Sequence, residues 1–459
     1  MVNKRLISRI VTILFIIDIF FGVFFLALLL AYSSIFEGSF ATNTFEMYLL
    51  LIFIVLTPIG MIFYFILDSK IAPTQDFFFG TKEDKLSLGE DGKEKPKGTR
   101  FSTLLTYDEE YQNKEVEKFD EVSSLEIFAD NFRNFCATED ESHRLYYSKK
   151  DIRSFIANLA TSHIMILQGM SGTGKTSIAT AFQRFVKNNE NMEVIAIQPM
   201  WKERSDLLGY YNEFTKKFNE TQLLKELYLS TYSDKMFVVI LDEMNIARVE
   251  YYFAEFLSLL ELEIAKRNLI VTNETWPSDP IHLHEGKLHI LDNVYFLGTA
   301  NNDESTFSIS DKVYDRAMIM NLDKRATPFD GIKTGPSKIS NTNFIKLVKD
   351  AKDKYGDKYL SLIDEQVGKL NSLLVKYFEV NFGNRMVAQI KDYVPVYVAC
   401  GGSYEEAFDD FVAKKILRKL EAKDPIRIKD KFNNFLVDFK GYFKEENIKE
   451  CLAFLEKYN

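Results

Sequence analysis

Cysteine is scarce in this chain: Cys136, Cys400 and Cys451 are the three in 459 residues, far apart and without metal-ligand spacing. Neither a disulfide framework nor a zinc module is indicated, and reduced thiols in a cytoplasmic compartment are the expectation. Basic charge is short as well, with 57 Lys and Arg against 66 Asp and Glu and a formal net charge of -9. The strongly basic footprint of a nucleic-acid binder is therefore missing at whole-chain level, although local patches remain compatible with it. No nuclease-type carboxylate–lysine cluster stands apart from the motifs described below, so any strand cleavage would need a separate protein. A chain of this length has room for two or three domains.

Long apolar runs, by contrast, are present at the amino-terminal end. Ile13 to Tyr32 is almost wholly apolar, with Asp18 its only charge, and Met47 to Leu67 is a second run interrupted by Pro58 and Gly60. Each has about the 20 residues that a helix needs to cross a bilayer. The first is too long for a signal-peptide core and a second span follows, so a two-span anchor is expected rather than a cleaved leader. Lys4, Arg5 and Arg9 precede the first run, and residues 33–46 hold no Lys or Arg. Positive-inside logic then puts the amino terminus and everything after Leu67 in the cytoplasm, at the cell (inner) membrane. Asp18 would cost roughly 2.5–3.5 kcal/mol at a helix centre, so it faces protein or sits hydrated near one end.

Composition changes again at Lys82 to Arg100, which mixes both charges with Gly and Pro and reads as a solvated tether. The expected organisation is an anchor over 1–70, a charged flexible linker over 71–118, an α/β nucleotide-binding core over 119–328, and a helical lid with carboxyl-terminal helices over 329–459. Leu125, Ile127, Phe128, Phe132 and Phe135 recur at helical spacing, as do Ile152, Phe155, Ile156 and Leu159. Beyond Phe329 the pattern is helical throughout, with Pro395 expected to kink or break one helix.

The chemistry is concentrated in Gly169-Met170-Ser171-Gly172-Thr173-Gly174-Lys175-Thr176, which fits the G-x-x-x-x-G-K-[ST] phosphate-binding loop without a mismatch. An apolar strand-like run, Ile164 to Leu167, precedes it, and a helix-like start from Ser177 follows. Backbone N–H groups of such a loop turn inward on phosphates at the positive end of the new helix. Lys175 is expected to reach the outer phosphates, and the Thr176 hydroxyl to hold Mg²⁺. A second buried run, Met236 to Leu241, ends in Asp242 and Glu243. Asp242 is placed to hold Mg²⁺ and Glu243 to polarise the attacking water, the parts phosphoryl transfer needs. A third run, Val294 to Ala300, ends at Asn301, a polar strand end suited to orienting water beside the γ-phosphate.

These three strand ends together resemble the AAA+ class of ring NTPases. The resemblance implies a parallel sheet in an αβα sandwich, ATP or GTP with Mg²⁺, and assembly as a homo-oligomer, a hexameric ring being usual. Arg316, just before the apolar run Met318 to Met320, would then suit a finger reaching into the neighbouring subunit's site. Trp201 to Asn212, Asp242 to Tyr252, Gly298 to Ser305 and Phe382-Gly383-Asn384-Arg385 are similar to segments of the McrB-like branch, the motors of modification-dependent restriction systems, and of the neighbouring MoxR-like ATPases. The similarity covers roughly Ser123 to Leu420. It implies that Arg385 is a lid arginine reading nucleotide state, and that the motor drives a separate effector such as an McrC-like nuclease. Where the restriction motors carry a DNA-reading domain, this chain has its two apolar runs, so direct nucleic-acid contact is left open.

Two further features stay open at this level. Ile281 to Ile290 alternates about Glu285-Gly286, which predicts a two-residue hairpin pairing His284 with Lys287, Leu283 with Leu288 and His282 with His289. The face carrying His282, His284, Lys287 and His289 is a partner-contacting face, a solvated one, or a metal site disfavoured by Lys287. Lys414, Lys415, Arg418 and Lys419 cluster on one helical face, either solvated or set against nucleic acid or anionic lipid.

Overall fold

Alternate residues of the central strands belong to opposite layers, as a sheet covered on both faces requires. Met165, Leu167, Val238, Ile240, Tyr295, Leu297, Met318 and Met320 join one apolar cluster. Ile164, Ile166, Phe237, Val239, Leu241, Val294, Phe296 and Ile319 join the other. The strands are β1 (Ile164–Gly169), β2 (Ile195–Ala196), β3 (Phe237–Asp242), β4 (Val294–Asn301) and β5 (Met318–Asn321), in spatial order β5-β1-β4-β3-β2. All neighbours are parallel. The three strands with functional ends therefore lie side by side, and register puts Asn301 opposite Gly169. The expected parallel α/β sandwich is present.

The computed structural model describes residues 98–459 except 115–116, 187–193, 302–305, 323–325 and 459, together with the backbone of Ser87–Leu88 and Glu94–Lys95, which pair as a short antiparallel ladder. The apolar runs over 13–32 and 47–67, with Asp18, lie outside the described residues, as does the stretch 302–305. Among the described residues no helix is long and apolar enough to cross a membrane. Contacts divide the chain into two units, and the remainder of the fold concerns the larger, Thr99–Tyr211 with Lys217–Asn459.

Helices α1 (Thr103–Tyr111), α2 (Leu125–Thr138), α3 (Lys149–Thr161), α4 (Lys175–Phe185) and α5 (Gln222–Leu229) belong to the core. Ser124 caps α2 by accepting from the Ile127 N–H, and Ser148 with Asp151 forms a capping box on α3. Phe128 and Phe132 of α2, Phe155 of α3 and Phe182 of α4 pack ring against ring, which fixes the helix that starts at the phosphate loop. Ile127, counted on the apolar stripe, faces out at 47% exposure.

Residues 99–111, which composition places in the linker, are part of this unit. Arg100 is buried, donates to the Asp279 carboxylate at 2.8 and 2.6 Å, and stands over the Trp276 ring; Phe101 and Leu104 are fully buried. The charge that suggested a tether is neutralised by a carboxylate far along the chain. Local composition cannot show that.

The last third is helical, as expected: α6 (Asp311–Arg316) leads into β5, and then α7 (Asn341–Phe378), α8 (Asn384–Ala399), α9 (Tyr404–Phe411), α10 (Pro425–Tyr442) and α11 (Lys449–Leu455) follow. Pro395 does not break α8, which continues to Ala399. The segment between α9 and α10 stays wound, as a π turn over Val412–Ile416 and a 3-10 stretch over Leu417–Ala422. All three cysteines are free and buried.

Candidate nucleotide-binding site

Gly169 closes β1 at φ +149, and a Cβ there would stand 2.7 Å from the Leu322 carbonyl oxygen, so only glycine lets the chain leave the sheet at this point. The loop then runs into α4. Lys175 is buried, and its Nζ donates to the carbonyls of Gly169 at 3.0 Å and Met170 at 2.7 Å. The Tyr147 hydroxyl donates to the Gly174 carbonyl at 3.2 Å, tying the loop to the segment that caps α3.

Asp242, at the end of β3, is the hub. Its Oδ1 accepts from Thr176 at 2.8 Å and from Thr299 of β4 at 2.7 Å. Thr299 in turn accepts from the Glu243 backbone N–H at 2.8 Å. Glu243 has left-handed backbone (φ 51), which costs a non-glycine residue roughly 1–3 kcal/mol and is held only where surroundings dictate it. Behind it, Gly298 makes room for Met244: a Cβ there would lie 2.0 Å from the Met244 sulfur. Asn245 locks the end of β4, donating to the Asn301 carbonyl at 2.8 Å and accepting from the Asn301 N–H at 3.2 Å.

Ser171, Gly172, Gly174, Lys175, Thr176, Ser177, Asp242, Glu243, Thr299 and Asn301 line a cavity of about 250 Å³. Gly169, Met170 and Thr173 shape the loop without lining the cavity. A hydroxyl and a carboxylate at hydrogen-bond distance form the hard oxygen pair that Mg²⁺ takes while keeping waters and substrate phosphates as its other ligands. No larger His, Cys, Asp or Glu group suited to a metal occurs among the described residues. Thr176 and Asp242 thus fit the ion, which when bound would neutralise charge developing on the phosphates.

The two arginines stand elsewhere. Neither lines this cavity, and both meet Glu261: Arg316 Nε lies 3.1 Å from Oε2, and Arg385 reaches Oε1 at 2.8 Å. The Arg316 Nε–H is buried yet lacks a directed hydrogen bond, so charge rather than geometry holds it.

Two sequence expectations change here. The hairpin keeps its turn, with Glu285 and Gly286 both at positive φ, and its His284–Lys287 and Leu283–Leu288 pairs. His282, however, leaves the strand and packs on Tyr228 and Tyr232, where burial lowers its pKa. Ile281 is exposed instead, and a third strand, Asn268–Ile270, pairs with Lys287–His289. The three-histidine face is therefore not one face. Nor are Lys414, Lys415, Arg418 and Lys419 a free solvated patch: Lys414 pairs with buried Asp410 at 2.7 Å, Lys415 is 2% exposed, and Arg418 and Lys419 are partly buried against Gln168 and Asp315.

Thr299, Asn245 and Tyr147 were missed from sequence. Thr299 and Asn245 flank the strand-end motifs in sequence, a signal that could have found them; Tyr147 has none.

Residues 164–317 match the AAA domain (dynein-related subfamily), and residues 336–458 match a domain of unknown function (DUF8727). The type IV methyl-directed restriction enzyme EcoKMcrB subunit of Escherichia coli (strain K12) is 24% identical over 183 residues, which is 38% of this chain and 38% of that protein. A protein assigned as an ATPase from Cytophaga hutchinsonii ATCC 33406 superposes with a TM-score of 0.40 at 12% identity, over 73% of this chain and 95% of that one. A full-length MCM homologue from Methanopyrus kandleri gives 0.34 at 9% identity, over 61% and 58%. The sequence match spanning β1 to α6 coincides with the strand ends that gather around Asp242, and this chain accordingly carries an AAA+ ATPase core, an α/β module built to hydrolyse nucleoside triphosphates.

Proposed function

We propose that the protein is a membrane-anchored AAA+ motor that hydrolyses ATP or GTP with Mg²⁺ to drive a partner effector, in a restriction-type defence system against foreign DNA. The observation that carries the enzymatic part is the convergence of the Thr176 and Thr299 hydroxyls on Asp242, with the Glu243 backbone N–H held in turn by Thr299. Asp242 and Thr176 would hold the ion, Lys175 binds the outer phosphates and Asn301 orients the water. Glu243 takes its proton as the water oxygen bonds to the γ-phosphorus and the bond from that phosphorus to the bridging oxygen breaks, releasing the nucleoside diphosphate.

The neighbouring subunit of a ring, most simply a hexamer, supplies Arg316, and Arg385 is the lid arginine that reads nucleotide state. Support for a shared interface is that both arginines meet one carboxylate away from their own chain's phosphate loop. The defence reading is supported by the 183-residue similarity to the restriction subunit, and the anchor by the apolar runs of the sequence. An McrC-like nuclease is the effector this reading expects.

A chaperone of MoxR-like type that remodels protein clients is the second reading, favoured by the net charge of -9 and the apolar runs. Purified with its membrane and its neighbouring gene's product, the protein should hydrolyse nucleotide faster when DNA is added. Equal rates with and without DNA, together with protein crosslinks from His284, would sink the defence reading and leave the chaperone.

A further inference from the structure

Arg316 is carried by the turn that ends α6, and the lid grips that turn from one side. Lys415 Nζ donates to the carbonyls of Tyr314 at 2.5 Å and Ala317 at 2.6 Å. Lys419 pairs with Asp315 at 3.0 Å, and Gln389 donates to the Asp315 carbonyl at 3.2 Å. The Arg418 guanidinium carbon stands over the Tyr314 ring, 3.6 Å from its centroid. The bonds span about a hundred residues of sequence and make the arginine-bearing turn a rigid extension of the lid.

One more contact connects this assembly to the phosphate loop. Arg418 also donates to Gln168 Oε1 at 2.5 Å, and Gln168 donates through Nε2 to the Tyr314 hydroxyl. Gln168 is the residue immediately before Gly169, is 1% exposed, and holds β5 through its own carbonyl, which accepts from the Leu322 N–H. Gln168, Tyr314 and Arg418 thus form a closed triangle joining the strand that feeds the loop, the turn that bears Arg316, and the lid. Buried polar networks satisfied in this way have few alternative arrangements and move as units.

We propose that Lys415, Arg418 and Lys419 are positioning residues for Arg316: nucleotide held by a subunit's own phosphate loop sets the lid, and the lid, through the Gln168–Tyr314–Arg418 triangle, sets how Arg316 is presented to the neighbouring subunit. The inference rests on the reading of Arg316 as acting in trans. It gives the lid's basic residues a task in turnover that neither surface charge nor nucleic-acid contact would require.

The test uses mixed rings of the full-length protein. Glu243→Gln subunits bind nucleotide, do not turn it over, and still supply Arg316. Arg316→Ala subunits keep an intact site but lack the arginine for their neighbour. Mixing them should restore turnover that neither has alone. Arg418→Ala is then placed in one partner at a time. In the Glu243→Gln donor it should lower kcat of the mixture roughly 10- to 100-fold, as a displaced catalytic group does, with KM unchanged. In the Arg316→Ala partner the same change should lower kcat less than about 3-fold, since that subunit's arginine is already absent. Lys419→Gln, which removes a partly exposed cation, repeats the test should Arg418→Ala lose its fold, and should show the same donor-only loss.

A loss that follows the nucleotide-bearing partner, or a rise in KM, would overturn the positioning role and make Arg418 a contact to its own subunit's nucleotide. A mixture that shows no restored turnover before Arg418 is touched would instead overturn the trans reading of Arg316, a separate failure.

Discussion

The phosphate-loop cavity and the lid face at Lys414–Lys419 both gather charged side chains, and they use them in opposite ways. Around the loop, Lys175 leans on two backbone carbonyls and Asp242 on two hydroxyls, contacts that a phosphate and its ion can replace. On the lid, Lys414, Lys415, Arg418 and Lys419 are each spent on a partner in the fold. Asp410 shows the contrast best: burial alone would raise its carboxyl, yet Lys414 beside it, the Tyr393 hydroxyl and the charge of Lys150 hold it below the usual range. Charge in the cavity is kept for a ligand; charge on the lid is part of the structure.

Substitutions should therefore separate cleanly. The largest effect expected is on rate: Asp242→Ala should slow hydrolysis roughly 10²–10³-fold, as loss of one preorganised electrostatic contact does. Its thermal midpoint should stay near that of the wild type, and a large drop would erase the distinction. Asp410→Ala should behave in reverse, costing about 3–5 kcal/mol by stranding Lys414 in the interior, measurable by denaturant unfolding.

A smaller effect concerns pH. Burial lowers the Lys415 pKa to about 7, with Asp315 opposing the shift and Lys419, Arg385 and Arg418 adding to it. Its unfolded value is near 10.5, so between pH 7 and 10.5 the unfolded chain binds more protons and stability rises with pH, by up to about 1.4 kcal/mol per unit. Below pH 7 both states are charged and this contribution is flat. Lys415→Met should remove the rise, and an unchanged slope would show that Lys415 is not its source. Least of all, Arg184→Ala breaks an exposed pair with Glu139 and should cost at most about 1 kcal/mol.

The same contrast governs what could be read in advance. The strands, the loop and the placement of Lys175, Thr176, Asp242 and Glu243 at the loop and strand ends are local patterns, with apolar periodicity and a polar residue at a fixed strand end. Gly298 opposite Met244 and the left-handed Glu243 are consequences of that pattern which only the folded chain displays. The lid helices were visible as periodicity, but not the partners of their cations: Lys415 reaches Tyr314, and Arg418 reaches Gln168, across some hundred or more residues. Arg100 hid in a charged stretch because Asp279 also lies far along the chain. His282 was misplaced because alternation about a turn does not say where pairing stops and packing on Tyr232 begins.

The central claim is that Glu243, held beside Asp242 and Thr299, activates the attacking water. Single-turnover hydrolysis by Glu243→Gln measures it most directly. Nucleotide binding should match the wild type, with cleavage slowed roughly 10²–10⁴-fold and the triphosphate recovered intact. Cleavage at the wild-type rate by a protein that binds nucleotide normally would contradict the account.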